Sequence, residues 1–164
     1  MNATHFVSAL VLLAASAAAN AEPLFVKDIS KMERTAWRIA CDFKGYDCSN
    51  IPVPQVWYME MEGTHGRYWR GAPGIEVNTK LIGQVFSGLV MVHEMVHYIQ
   101  DYQIRQSLNH GFNSHCDRER EAFNITLAVA FSLNIKDSRL VSWPEIARAY
   151  SCPYTARFIF RDIP

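Results

Sequence analysis

Val90-Met91-Val92-His93-Glu94-Met95-Val96-His97-Tyr98-Ile99-Gln100-Asp101-Tyr102 places two imidazoles four residues apart, with a carboxylate beside the first. No Pro or Gly falls between Leu89 and Gln106, and Val90, Val92, Val96 and Ile99 are apolar, so the segment predicts a helix. Positions i and i+4 of a helix lie one above the other on the same face. His93 and His97 can therefore close on one metal ion. Glu94 leaves the helix at a different angle, beside the open coordination position of that ion. A His-Glu-x-x-His helix of this kind is a zinc-binding pattern in which the glutamate serves as general base.

A catalytic zinc takes three protein ligands and leaves a position for water. With His93 and His97 as two of them, the third is sought downstream among Asp101, His110, His115, Asp117, Glu119 and Glu121. Ser107 to Cys116 is polar and aperiodic, which predicts a loop, and His110 and His115 within it are candidates for binding substrate or an oxyanion. Asp117-Arg118-Glu119-Arg120-Glu121 then opens a helix running through Leu133, with acids near its positive end. Its near-continuous apolar surface predicts the central buried helix. Asn124-Ile125-Thr126 matches a glycosylation acceptor, discounted inside a buried helix.

The pairing of His93-Glu94-Met95-Val96-His97 with Glu119-Arg120-Glu121-Ala122 resembles the small gluzincin metallopeptidases, whose second helix offers a metal-binding Glu in a Glu-x-x-Ala pattern. The resemblance covers roughly residues 87 to 131. It implies a zincin-like domain, Zn2+ as cofactor, Glu119 as the third metal ligand, Glu94 as catalytic base and a peptide or protein as substrate. The metzincin pattern would need a histidine where Gln103 stands, so that subclass is excluded. Many relatives carry Asp or Asn after the Ala. Here the residue is Phe123, which leaves the partner that orients the histidines unassigned. Periodicity alone does not separate Glu119 from Glu121.

Towards the amino terminus, Ser30-Lys31-Met32-Glu33 fits a capping box, and Met32, Ala36, Ile39 and Ala40 recur at helical spacing with Trp37 beside them as a core anchor. Gly45 is a plausible stop. Pro52 and Pro54 break any helix. Residues 55–61, 67–70 and 75–78 alternate and are separated by glycine-containing turns, which predicts three short strands in an antiparallel meander. His65 then sits at a solvated hairpin tip. Ser142-Trp143-Pro144-Glu145 is a second capping box, opening a short helix to Tyr150. The expected architecture is α+β, a small antiparallel meander packed on helices that carry the metal motif.

Phe6 to Ala19 is an apolar run broken only by Ser8 and Ser16, and it ends in Ala19-Asn20-Ala21 before the first acid, Glu22. That pattern predicts a signal peptide over residues 1–21, a secreted or periplasmic protein, and a single domain over 22–164. Sixteen basic residues balance 16 acidic ones without a basic stripe, so composition points to neither nucleic acid nor anionic membrane as partner. In an exported chain the even count of four cysteines favours two disulfides; three pairings are possible, and the preferred one joins Cys41 to Cys48, closing a short loop, and Cys116 to Cys152. A cysteine-ligated zinc would need a Cys-x-x-Cys spacing that the chain lacks.

Overall fold

The computed structural model describes residues 29–43, 45–106 and 114–140. The elements run α1 (Ile29–Asp42), β1 (Gln55–Met59), β2 (Gly66–Tyr68), β3 (Gly74–Asn78), a 3₁₀ turn (Thr79–Leu81), α2 (Val85–Arg105) and α3 (His115–Ser132). The expected signal peptide, His110 and the helix after Trp143 lie outside the described residues. Among the described residues no helix is long and apolar enough to cross a membrane.

The α+β architecture is as expected: among the described residues, three helices and one three-stranded sheet pack together, with α2 against the sheet and α1 and α3 against α2. The antiparallel meander is not. The strand order is β1-β3-β2: β3 pairs parallel with β1 and antiparallel with β2. A meander needs a tight turn between β1 and β2, whereas residues 60–65 cross the end of β3 instead. Asn78 fixes that crossing, its Nδ2 donating to the carbonyls of Met61 at 2.7 Å and Thr64 at 2.9 Å. The Asn78 N–H donates to the His65 carbonyl at 2.9 Å. His65 is half-buried and meets Phe86 edge-on at 5.1 Å between ring centroids, so it is not a solvated tip. Burial lowers its pKa, with a smaller contribution from the Arg139 charge.

Two glycines permit the close approaches that this sheet requires. A Cβ on Gly74 would overlap the Gln55 backbone and open the β1–β3 pair. A Cβ on Gly66 would overlap Val90 Cγ1 and stand 3.0 Å from Glu94 Cγ, so β2 lies directly on α2 because residue 66 has no side chain.

The central buried helix is α2, not α3. Sixteen of its 21 residues are buried, and it packs against α1, α3, β2 and β3. In α3 only Ala122, Phe123, Ile125, Thr126, Val129 and Ala130 are buried, and Phe131 is 63% exposed. The apolar content of α3 thus overstated its burial. Thr126 donates to the Ala122 carbonyl at 2.8 Å inside the core, which agrees with discounting the glycosylation match there.

On the far side of α2, α1 buries Met32, Ala36 and Ala40, and Trp37 meets Tyr98 edge-on. Ile29 is already helical, so Ser30 lies inside α1 rather than capping it. Gly45 takes a positive φ of 64°, and the Tyr46 N–H returns to the Cys41 carbonyl, which ends the helix as glycine at this place favours. The Cys41–Cys48 disulfide closes the loop that follows. Cys116 is also disulfide-bonded; its expected partner, Cys152, lies outside the described residues.

Candidate metal centre

His93 and His97 sit one turn apart on the face of α2 that meets α3, and Glu119 reaches them from the second turn of α3. The three side chains converge. His93 Nε2 lies 3.2 Å from His97 Nε2, Glu119 Oε1 lies 3.2 Å from His97 Nε2, and Glu119 Oε2 lies 3.5 Å from His93 Nε2. Three ligands about 2.0–2.1 Å from a tetrahedral zinc stand about 3.3–3.4 Å from one another. The donor set and its spacing therefore fit such an ion. Among the described residues these three are the one group of at least three His, Cys, Asp or Glu side chains able to share a metal.

Of the other third-ligand candidates, His110 lies outside the described residues, and Asp101, Asp117 and Glu121 are engaged elsewhere. Asp101 accepts from Tyr68 Oη at 2.8 Å, from the Gly71 N–H at 3.0 Å and from Arg70 and Arg105, tying the β2–β3 turn to the end of α2. Asp117 pairs with Arg120 in the first turn of α3, where Ser114 is the N-cap. Glu121 accepts from Gln100 Nε2 at 2.9 Å. His115 is 53% exposed, with Nε2 3.9 Å from Glu119 Oε1, at the rim of the cluster.

Electrostatics bind the three groups together. Burial alone would raise the Glu119 carboxyl, but hydrogen bonds from His93 and His97 outweigh it and hold the group far below its ordinary value. Burial opposes a charge on His97, and the Glu119 carboxylate overcomes that, raising the imidazole from 6.5 to about 9. Glu94, 8% exposed, is shifted the other way from Glu119. Burial raises its carboxyl, and the nearby His93 and His97 oppose the shift without cancelling it. The Tyr68 backbone, in edge strand β2, adds the smallest influence on that carboxyl, in the same direction as the histidines.

Three contributors were not anticipated from sequence. Phe123, standing where relatives of the resembled group carry Asp or Asn, packs its ring on His93 with centroids 4.5 Å apart. Gln100, fully buried, places Oε1 3.0 Å from His97 Nδ1 and donates from Nε2 to Arg118 O at 3.1 Å. Tyr68 contributes through its backbone, which no side-chain pattern reveals. Gln100, three residues after His97, was the one with a usable signal: a polar side chain near the metal face of an otherwise apolar helix.

No protein-family model, curated protein or solved structure matches this chain. The functional reading therefore stands on the site's own geometry and on the motif that led to it.

Proposed function

We propose that the protein is an exported zinc-dependent hydrolase acting on a peptide bond or related amide. The observation that carries the reading is the convergence of His93 Nε2, His97 Nε2 and Glu119 at 3.2–3.5 Å, with the buried Glu94 carboxylate beside them. His93, His97 and Glu119 would hold the ion. When bound, zinc supplies Lewis-acid chemistry, lowering the pKa of water toward about 7 and polarising a carbonyl.

Glu94 is suited to the proton transfers. Its carboxyl favours protonation because burial disfavours the charge. The carboxylate takes a proton from the attacking water and passes it to the departing amine nitrogen. An extended peptide would lie along β2, the edge strand that touches Glu94, and bind through main-chain hydrogen bonds. Glu94→Gln keeps the shape and removes the base. The expected result is retained stoichiometric zinc with hydrolysis of a mixed peptide library reduced about 10²–10⁴-fold. Purified protein without zinc, or a Glu94→Gln variant of undiminished activity, would refute the reading.

One observation favours a second reading, a non-catalytic zinc-binding module. His115 stands 3.9 Å from Glu119 Oε1, close enough for a rotamer change to bring a fourth ligand and close the site. In that case His115→Ala loosens zinc and chelation unfolds the domain. In the hydrolase reading His115→Ala leaves zinc in place.

A further inference from the structure

Gln100 is a neutral amide buried between the two helices that carry the cluster, and its orientation follows from its neighbours. On one end stand Arg118 O at 3.1 Å and Glu121 Oε2 at 2.9 Å. A carbonyl only accepts, and so does an ionised carboxylate, so the end of the amide facing both must be the NH2. Its carbonyl oxygen is then left facing His97 Nδ1 at 3.0 Å. A carbonyl there needs a proton on Nδ1, and in the neutral imidazole that leaves the lone pair on Nε2. Nε2 is the atom that meets His93 and Glu119.

We infer that Gln100, oriented by Glu121 and the Arg118 carbonyl, is the positioning residue that fixes His97 as its Nδ1–H tautomer and aims Nε2 at the metal position. The inference rests on the metal-site reading above. It also gives Glu121, the other acid of the Glu119–Glu121 pair, a function. Glu119 ligates, and Glu121 holds the amide that orients the opposing ligand. Because α3 supplies both the Arg118 carbonyl and Glu119, the same contact sets the tautomer of His97 and the distance between the ligand-bearing helices.

Behind Glu121 stands the hydroxyl of Tyr46. The Tyr46 pKa is pushed far above its ordinary value by burial first and then by the nearby Glu121 carboxylate. Tyr46 belongs to the loop closed by Cys41–Cys48. A neutral amide in contact with His97, in place of a carboxylate, leaves the negative charge one residue further from the ring.

The test uses the full chain with added zinc. Nitrogen-15 shifts of the His97 ring are read by NMR, and zinc affinity is read by competition with a chromophoric chelator. The wild type should show Nδ1 protonated and Nε2 coordinated. Gln100→Met, of similar size and without the amide, should weaken zinc about 10–100-fold, as loss of such an orienting partner does. Gln100→Glu places a second acceptor against Arg118 O and Glu121 and should weaken zinc to a similar extent. Adding Glu121→Gln to Gln100→Glu restores a donor facing the new carboxylate and should recover most of the affinity. A residue that only filled space would show no such recovery.

Coordination of zinc by His97 Nδ1 in the wild type overturns the inference, and so does a Gln100→Met variant with unchanged affinity and tautomer. In both cases the metal-site reading survives. A wild-type chain that takes up no zinc overturns both. A chain that binds zinc as described but hydrolyses nothing leaves this inference standing and removes only the catalytic reading.

Discussion

At Glu119 and Glu121, two acids one residue apart on α3, direction decides function. In a helix, residues i and i+2 point to different sides. Glu119 meets His93 and His97 at 3.5 and 3.2 Å, while Glu121 turns to Gln100. The two should separate cleanly on substitution. Glu119→Gln removes a ligating charge and should weaken zinc by more than the about 10–100-fold that an orienting partner costs. Glu121→Gln retains an acceptor for Gln100 and should cost less than that, which zinc competition on purified variants will measure. Equal losses for both, or a larger loss for Glu121→Gln, would reverse the assignment. The pair also shows what sequence could carry. Helical spacing joined His93 to His97 because both sit on one element, but Glu119 was favoured over Glu121 by resemblance, since periodicity within α3 contains no information on where α2 lies. Gln100 was missed for the same reason: its partners, Arg118 and Glu121, belong to the other helix.

The interlocking of β2 with α2 connects the sheet to the chemistry. Gly66 lets the strand rest on Val90 and Glu94, and two residues later the Tyr68 hydroxyl binds Asp101, two turns beyond Glu94 on the same helix. Gly66→Ala inserts a methyl into Val90, a fully packed core residue, and overpacking of this kind costs about 1–3 kcal/mol. The strand has to lift away from Glu94. We expect a lower denaturation midpoint together with hydrolysis reduced beyond what the unfolded fraction explains, while zinc content is unchanged. Loss of stability with full specific activity would show that β2 does not position Glu94. The alternation in residues 55–78 located the strands to within one or two residues. It could not say that β3 lies between the other two, because that order depends on Asn78 anchoring the 60–65 crossing and on Gly74 admitting the Gln55 backbone.

For the molecule as a whole, the site couples stability to pH in a direction that zinc should reverse. Without an ion, His97 gains a proton-dependent attraction to Glu119. Its pKa is raised from 6.5 to about 9, so the stability it contributes is fully present below 6.5 and is lost as pH rises through about 9. Glu94, also raised, acts in the same sense starting from its ordinary 4.5. Glu119 is depressed, so its contribution is present above 4.5 and is lost only as pH falls through its lowered value. His65 is depressed too, and the stability linked to it is complete once pH exceeds 6.5. The stability held by His97 is therefore lost across the interval from 6.5 to about 9, where Glu94 acts in the same sense, and chelator-treated protein should melt at progressively lower temperature across it. Zinc requires the unprotonated imidazole, so its affinity rises over the same interval as it displaces fewer protons. Ligand-linked stabilisation grows as RT ln(1 + [L]/Kd), about 2.7 kcal/mol at a hundredfold excess over Kd. Thermal melts at pH 6, 7.5 and 9, each with chelator and with a fixed zinc excess, should show the zinc-induced gain widening steadily. A gain that is flat across that range would mean that the proton held by His97 and Glu119 does not occupy the metal's place.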